Sequence, residues 1–328
     1  MFSPSVLVTG GAGFIGSALV WALNGRGVDA ILIADRADHS EKQRNLAALR
    51  FQELVDPDDL LAWAVRRDPR LKPIRTVFHL GACSSTTETD VAFLMRNNYG
   101  YTQRLASWAL GQNARFIYAS SAATYGDGTA GMEDGVGRLD HYRPLNAYGR
   151  SKHLFDLYAR DHGLFDQVVG LKYFNVFGPN EDHKDEMRSL VNKAFVQIQQ
   201  TGAIRLFKSH HPDYKDGEFG RDFLYVKDAV EMTLHFAENK VAGLFNVGSG
   251  EVHAWNQLAR AIFEALDLPP KIDYIDMPDE LRDRYQYRTQ ADLRRLREAG
   301  YLRPVTPLNE AVADYVAGYL IPGKHLGE

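Results

Sequence analysis

The sequence predicts an α/β fold, in which a doubly wound parallel sheet carries a smaller C-terminal α/β lobe. Short apolar runs alternate with segments of helical period through the first half of the 328-residue chain. A glycine-rich turn follows the first of these runs. After about residue 178 strand-like and helix-like segments no longer alternate regularly, and prolines interrupt shorter elements. This pattern indicates a lobe built from segments that leave the main sheet.

The first half supplies five candidate strands and the helices between them. Each strand is predicted from a β-branched or apolar run, and each helix from a segment long enough for a right-handed crossover. The predicted strands are Ser5–Thr9, Ala30–Ala34, Thr76–Leu80, Arg115–Ala119 and Val168–Tyr173. The predicted helices are Phe14–Asn24, Asp58–Arg66, Glu88–Ala109 and Tyr148–Asp161. We therefore expect one domain over residues 1–177, to which later segments return, and a second lobe over residues 178–328.

Composition excludes several classes of protein. A hydrophobic content of 45% supports a substantial core. The net charge is −4 and acidic and basic residues are interspersed, so the sequence has no basic patch of the kind that binds nucleic acid. No apolar stretch approaches the roughly 20 residues of a membrane span, and the early first strand leaves no room for a secretory leader. The single cysteine, Cys83, cannot form an intrachain disulfide. We expect a cytoplasmic protein that binds neither nucleic acid nor a membrane.

The turn after the first strand has the spacing Gly-x-x-Gly-x-x-Gly, formed by Gly10, Gly13 and Gly16. Glycine at these positions permits a tight turn, close approach of backbone amides to a pyrophosphate, and close packing of the helix on the strand. Because a strand precedes this turn and a helix follows it, the motif predicts a Rossmann dinucleotide site. The alternative is a glycine-rich turn that binds no ligand.

Charged residues at the end of the second strand bear on which dinucleotide is used. Asp35 is placed to bind an adenosine ribose, which by itself favours NAD. Arg36 and Lys42 follow, and two cations can neutralise the 2′-phosphate of NADP. The alternative is that both cations are solvated surface charges. These residues alone leave NAD and NADP open.

A candidate catalytic group consists of Ser121, at a strand end, and the pair Tyr148-x-x-x-Lys152. Residues four apart share one helix face, so the Lys152 ammonium is expected to stabilise a phenolate and lower the pKa of Tyr148. A phenol of lowered pKa can exchange a proton with a sugar hydroxyl. A lone Tyr-x-x-x-Lys often reflects surface packing, but here the glycine turn and the serine strand accompany it.

We predict no metal site from the spacing of the histidines. His210 and His211 are adjacent in a loop, and His183 lacks nearby partners along the sequence. Cys83 is interpreted as a small buried residue beside the dinucleotide rather than as a nucleophile.

Several strings of sequence resemble one enzyme superfamily, the extended short-chain dehydrogenase/reductases. These strings are Gly81–Glu88 (GACSSTTE), Ala119–Gly126 (ASSAATYG), Tyr148–Lys152 (YGRSK) and Tyr173–Pro179 (YFNVFGP). Within the superfamily the chain is similar to the ADP-L-glycero-D-manno-heptose 6-epimerases, from the first strand to the C-terminal helix. The strings that narrow the match are Gly81–Glu88, Ser120–Gly126, His183-Lys184, Arg284–Gln286 and Thr289–Leu293.

This resemblance implies interconversion of ADP-D-glycero- and ADP-L-glycero-D-manno-heptose at C6, on the route to the lipopolysaccharide inner core. It also implies a tightly held NADP and a homo-oligomer, often a pentamer. The implied cofactor positions are Gly10, Gly13, Phe14, Ile15, Gly16, Asp35, Arg36, Lys42, Leu80, Gly81, Ala82, Cys83, Ser84, Asn97, Tyr148, Lys152, Val176 and Lys184. The implied substrate positions are Ser121, Asn175, Glu186, Lys193, Arg221 and Tyr285.

The resemblance further implies two acid/base groups, Tyr148 and Lys184. An epimerase must remove a hydride and return it to the opposite face of the ketone, so the ketone turns while the cofactor stays fixed. Turning carries the oxygen away from the first proton-transfer group, and a second group then serves the inverted alcohol. Outside the resemblance, Lys184 is interpreted as a solvated loop charge or a cation on a cofactor phosphate.

Some positions depart from the family pattern. Asp185 and Glu186 stand where small residues are usual, Lys193 replaces a histidine, and the polar loop Ser209–Gly220 is long. Two alternatives therefore stay open, namely another sugar-nucleotide enzyme such as a UDP-sugar 4-epimerase, and a dinucleotide-sensing protein without turnover. A 4,6-dehydratase is disfavoured because Ala122 and Ala123 occupy the place of its usual acid/base pair.

Overall fold

The computed structural model describes residues 5–282 and 286–328. Its strands, in chain order, are β1 (Val6–Thr9), β2 (Ile31–Ala34), β3 (Glu53–Val55), β4 (Thr76–His79), β5 (Arg115–Ser121), β6 (Val168–Tyr173), β7 (Asn175–Phe177), β8 (Ile204–Phe207), β9 (Gly220–Arg221), β10 (Phe223–Tyr225), β11 (Gly243–Val247), β12 (His253–Ala254) and β13 (Ile272–Ile275). Of the predicted site residues, Tyr285 lies outside the described residues.

The α-helices connect these strands. They are α1 (Phe14–Gly25), α2 (Ser40–Ala47), α3 (Pro57–Arg66), α4 (Val91–Leu94), α5 (Tyr101–Gly111), α6 (Ala147–Asp161), α7 (Leu190–Thr201), α8 (Val226–Glu238), α9 (Trp255–Ala265), α10 (Asp279–Arg282), α11 (Arg294–Glu298) and α12 (Leu308–Tyr315). Short 3-10 segments cover Pro69–Leu71, Ala122–Tyr125, Val136–His141, Leu164–Asp166 and Asp182–Met187, and π-helical turns cover Met95–Gly100 and Val316–Leu320. In the described part of the chain, every helix is too short or too polar to cross a membrane.

Seven strands form one parallel sheet in the order β11-β6-β5-β4-β1-β2-β3. One apolar cluster packs α1 and α8 on one face of this sheet, and a second packs α3, α5 and α6 on the other. The predicted doubly wound α/β architecture is therefore confirmed. The strand order reverses between β1 and β4, and in such sheets ligands bind outside the carboxyl ends of the strands at that reversal.

The five predicted strands are all present, with ends that differ by at most two residues from the prediction. The sequence analysis missed β3 because two of its three residues are exposed, which leaves no apolar run. It also missed β11, a fully buried strand that pairs with β6 far from it in the chain. The predicted helix Glu88–Ala109 begins only at Val91 and is interrupted by the π-helical turn Met95–Gly100.

Three small sheets lie outside the main one and build the second lobe. Strand β7 pairs with β10 and β8 with β13, both in parallel, whereas β9 and β12 pair antiparallel. Helices α7, α9 and α12 pack together beside them in the same apolar cluster as α1. Because β7 directly follows β6, this lobe begins at the carboxyl edge of the central sheet.

The turn between β1 and α1 requires glycine at two positions. Gly10 has a φ of +71°, and a Cβ built on it would stand 2.7 Å from the Cα of Gly81 after β4. A Cβ on Gly16 would stand 1.9 Å from the carbonyl oxygen of Gly10. The first turn of α1 therefore lies directly against the loop, which is how the motif keeps the helix N-terminus at the strand end.

A buried carboxylate attaches α6 to the central sheet. One oxygen of Asp156 accepts a hydrogen bond from the Tyr118 hydroxyl at 2.7 Å. The other accepts from the Ser120 hydroxyl and from the Lys172 ammonium, each at 2.8 Å. The side chains of Asp156 and Lys172 are both fully buried. This network fixes α6 against β5 and β6 next to Ser121.

We expect Gly16→Ala to lower the free energy of unfolding by about 1–3 kcal/mol. The added methyl group must displace backbone atoms rather than a flexible side chain. Urea-induced unfolding measures the change. Gly25→Ala is the matched control, since it lies in the same helix with open space around its Cβ position, and it should be neutral or slightly stabilising. Equal effects of the two substitutions would contradict the close contact.

Asp156→Asn should lower the free energy of unfolding by about 3–5 kcal/mol, because it leaves the Lys172 ammonium buried without its counter-ion. Asp276→Asn removes one partner of an exposed pair with Lys208 and should leave stability nearly unchanged. Both variants can be compared by urea-induced unfolding at neutral pH. A stable Asp156→Asn protein would show that the network does not hold α6 in place.

Candidate active site

The crevice at the strand reversal is closed on one side by the loops after β1 and β4. The Thr9 hydroxyl is 2.7 Å from Nδ1 of His79 and accepts a hydrogen bond from the Gly81 amide at 3.1 Å. Nε2 of His79 lies 2.8 Å from the Thr102 hydroxyl. Burial lowers the pKa of His79 to about 3, so the ring is a neutral structural bridge between β1 and α5.

The backbone of Cys83 is held by a residue that the sequence analysis missed. The side-chain oxygen of buried Asn98 accepts from the Cys83 amide, and its nitrogen donates to the Cys83 carbonyl, both at 2.9 Å. Asn97, the predicted cofactor position, donates to the Asn98 side chain at 3.0 Å. Both asparagines lie in the π-helical turn, a feature that is frequent at functional sites and that gave no signal in the sequence.

Asp35 supports the glycine turn. Its Oδ2 accepts a hydrogen bond from the Ala12 amide at 2.9 Å, while Oδ1 accepts from the Lys42 ammonium at 3.0 Å. The Arg36 guanidinium pairs with Asp56 at 3.1 Å and with Asp58 at 2.7 Å. Arg36 and Lys42 thus each lie beside a carboxylate, and Lys42 directly neutralises Asp35.

The start of α1 fits a dinucleotide pyrophosphate. Gly13 precedes the helix without a side-chain cap, and the first turn carries no acidic residue. Its amides therefore face the crevice without competition from a carboxylate, which is the arrangement that binds phosphate oxygens at a helix N-terminus. Phe14 and Ile15, both predicted cofactor positions, form that first turn.

Ser121 and Tyr148 meet where β5 and α6 approach each other. A Cβ on Gly149 would stand 2.7 Å from the Ala123 carbonyl, so the start of α6 packs closely on the turn after Ser121. Hydrogen bonding to the Ser121 side chain acts to lower the pKa of the Tyr148 phenol. The predicted serine–tyrosine pair is therefore brought together by the glycine that follows the tyrosine.

The predicted effect of Lys152 on the phenol is wrong for this structure. Burial raises the pKa of Tyr148, and the hydrogen bond with Ser121 is the contribution that lowers it. The Lys152 ammonium instead donates to the Ala119 carbonyl at 3.0 Å. Burial lowers the pKa of Lys152 to about 8, against the opposing effect of the Asp156 carboxylate. The ammonium thus supports β5 rather than pairing with the phenol.

A second group of predicted residues lines one cavity in the second lobe. This cavity has a volume of about 670 Å³ and opens between β7, α7 and α9. Predicted positions among its lining residues are Asn175, Val176, Lys184, Glu186 and Lys193.

Lys184 connects this cavity to the glycine turn. Its ammonium lies 5.0 Å from the ring centroid of Phe14, the first residue of α1. Burial lowers the pKa of Lys184, and the carboxylate of Glu181 opposes that shift. The next residue, Asp185, has a φ of +46°, which non-glycine residues rarely adopt. Strained backbone of this kind is concentrated at functional sites.

Arg221 is a buried cation beside Trp255, one of the lining residues of the cavity. It is 6% exposed, and its guanidinium stands 5.9 Å from the ring centroid of Trp255, which lines the cavity. Its neighbour Asp222 accepts hydrogen bonds from the amides of Ser249, Gly250 and Ala291 at 2.6–2.9 Å. The Asp222 carboxylate therefore joins three segments of the lobe.

A model of the NAD dependent epimerase/dehydratase family matches residues 6–248. A relative from Nitratidesulfovibrio vulgaris (strain DP4), named ADP-L-glycero-D-manno-heptose-6-epimerase, is 48% identical over 315 residues, which cover 96% of this chain and 97% of the relative. The resemblance stated from the sequence is confirmed.

Two solved structures show the same fold over nearly the whole chain. The ADP-L-glycero-D-manno-heptose-6-epimerase of Helicobacter pylori matches with a TM-score of 0.76 and 26% identity, over 97% of this chain and 96% of its own. The UDP-glucose 4-epimerase of Thermus thermophilus, in complex with NAD, matches with a TM-score of 0.72 and 26% identity, over 95% of this chain and 97% of its own. The chain belongs to the NAD dependent epimerase/dehydratase family.

Proposed function

We propose that this protein converts ADP-D-glycero-D-manno-heptose to ADP-L-glycero-D-manno-heptose by epimerisation at C6. The observation that carries the proposal is the placement of two proton-transfer groups on separate elements. Tyr148 lies on α6 and contacts Ser121, whereas Lys184 lies in the loop before α7 and stands over Phe14. The shared name of the relatives at 40–48% identity supports the heptose as the sugar.

Each protein group has a defined task in this reaction. A nicotinamide dinucleotide, held by the glycine turn after β1, would supply the acceptor and donor for the C6 hydride. One of the two groups, Tyr148 or Lys184, takes the proton of the C6 hydroxyl as the hydride leaves, and the resulting ketone turns. The other group donates a proton to the oxygen when the hydride returns to the opposite face. Ser121 orients the oxygen through its hydroxyl, and Lys152 holds the end of β5.

Two alternative functions were left open by the sequence. A UDP-sugar 4-epimerase needs Ser121, Tyr148 and Lys152 but a different cavity wall, and the names of the relatives do not favour it. A dinucleotide-sensing protein needs no intact set of Ser121, Tyr148 and Lys152, and this chain has all three. Both alternatives are separated from the heptose epimerase by the product that forms.

We further propose NADP as the cofactor. The Asp35 carboxylate already accepts from the Ala12 amide and from Lys42, so its charge is neutralised where a 2′-phosphate would lie. The exposed Arg36 can exchange its two surface carboxylates for that phosphate, because exposed ion pairs contribute little stability. A planar guanidinium also matches a phosphate with two parallel hydrogen bonds.

The remaining site assignments are part of the same proposal. Residues 1–177 form the cofactor domain with returning segments, and residues 178–328 mainly form the substrate lobe. Further cofactor contacts come from Leu80, Gly81, Ala82, Cys83, Ser84, Asn97 and Val176. Substrate contacts come from Asn175, Glu186, Lys193, Arg221 and Tyr285. By resemblance, we also propose a cytoplasmic homo-oligomer acting on the route to the lipopolysaccharide core.

Tyr148→Phe and Lys184→Met should each lower kcat for ADP-heptose epimerisation by about 100-fold or more, because each removes a proton-transfer group. NMR of the sugar C6 configuration measures conversion, with UDP-galactose as the competing substrate. The matched controls are Tyr158→Phe on the same helix and Lys240→Met on the surface, and both should retain activity. Full activity of either test variant would eliminate that assignment, and conversion of UDP-galactose alone would identify a 4-epimerase.

The nucleotide released on denaturing the purified protein should be NADP, which mass spectrometry distinguishes from NAD by one phosphate. Lys42→Met should lower the preference for NADP over NAD by about tenfold or more, because it removes a charged partner of the 2′-phosphate. Lys72→Met, an exposed lysine elsewhere on the same domain, should leave the preference unchanged. Release of NAD alone would overturn the NADP assignment without affecting the epimerase assignment.

A further inference from the structure

A buried histidine near the C-terminus faces carboxylates from two distant parts of the chain. His325 is 2% exposed, and its Nε2 has no hydrogen-bond partner among the described residues. Oε2 of Glu41 lies 3.6 Å from this nitrogen, and Oδ2 of Asp182 lies 3.5 Å from it. The three candidate ligand atoms all lie within 4.8 Å of one another.

The neighbouring asparagine determines which nitrogen of the ring carries a proton. The Asn45 side-chain nitrogen donates to the carbonyls of Ala12 and Asn180, at 3.0 and 3.1 Å, so its oxygen must act as an acceptor. Nδ1 of His325 lies 2.8 Å from that oxygen and therefore donates to it. In the neutral ring the lone pair is on Nε2, directed between Glu41 and Asp182.

A lone pair and two carboxylates in close proximity repel each other unless a cation lies between them. The distances of 3.5 and 3.6 Å are too long for good hydrogen bonds. They are close to the separation of about 3.4 Å expected for two ligands of one tetrahedral ion with metal–ligand distances of about 2.0–2.1 Å. The hydrogen bond from Nδ1 to Asn45 also matches the outer-shell contact that orients histidine ligands of metals.

Other charged and polar groups at this cluster orient the two carboxylates. The Asn192 amide donates to Oδ1 of Asp182 at 2.8 Å, which leaves Oδ2 directed at His325. Arg44 lies 4.0 Å from Oε2 of Glu41 and also pairs with Glu328 at 3.4 Å. Glu328 accepts the backbone amide of His325 rather than facing its ring. The Glu41 and Asp182 side chains are 32% and 35% exposed, which provides a path of entry from solvent.

We propose that Glu41, Asp182 and His325 bind a divalent transition-metal cation of the zinc class, with water in the remaining position. One imidazole nitrogen and two carboxylate oxygens suit zinc better than magnesium or calcium, which prefer oxygen ligands alone. The sequence analysis predicted no metal site, because these three ligands are far apart in the chain and show no metal-ligand spacing. A bound ion joins α2, the loop that carries Lys184, and the C-terminal segment.

The test uses the untagged full-length protein after treatment with EDTA. Titration with Zn²⁺ should show one saturable site and a rise in the melting temperature, and Co²⁺ in its place should give a visible absorption band. Glu41→Gln and Asp182→Asn should each weaken Zn²⁺ binding by about tenfold or more and abolish the Co²⁺ band. Both replacements keep the size of the side chain, so they should fold.

Glu328→Gln is the matched control, because this carboxylate lies beside the cluster without facing Nε2. It should bind Zn²⁺ as the original protein does. Absence of a saturable site in the original protein would overturn the proposal, as would unchanged affinity in the Glu41 and Asp182 variants. A His325 ring that NMR shows protonated on both nitrogens in the presence of Zn²⁺ would assign the cluster to an ion pair and also overturn it.

Discussion

The geometry of the active site depends on one buried carboxylate, Asp156. It lies two helical turns after Tyr148 and accepts hydrogen bonds from residues of β5 and β6, so it fixes the rotation and depth of α6 against the sheet. A buried ion pair such as that with Lys172 recovers little net free energy after desolvation, so its value lies in selecting one arrangement. That arrangement is the one in which the phenol of Tyr148 meets Ser121.

The same carboxylate affects the charge of Lys152 one turn earlier in α6. Burial alone would favour the neutral amine, and Asp156 opposes it, so that the pKa is held at about 8 and the ammonium form persists at neutral pH. The Lys152 ammonium donates a hydrogen bond to the Ala119 carbonyl. Because the phenol sits in a buried environment without a cation bonded to it, its pKa rises. A positively charged nicotinamide beside the phenol would supply the missing stabilisation of a phenolate.

Site features formed by residues close together in the chain could be predicted from the sequence. The glycine turn and the Tyr148–Lys152 helix could be predicted because strand, turn and helix follow one another within a few residues. Asn98 and β11 could not, because the first gains its role by packing on Cys83 across a π-helical turn, and the second by pairing with β6. The direction of the phenol pKa depends on burial, which four-residue spacing does not report.

One residue, Ala12, connects the glycine turn to the loop that carries Lys184. The Ala12 amide donates to Asp35 at the end of β2, and its carbonyl accepts from Asn45 in α2. The same Asn45 nitrogen donates to the carbonyl of Asn180, four residues before Lys184. A shift of the glycine turn would therefore act through Asn45 on the backbone that precedes Lys184. A dinucleotide bound at this turn would therefore be coupled to the position of Lys184 through the side chain of Asn45.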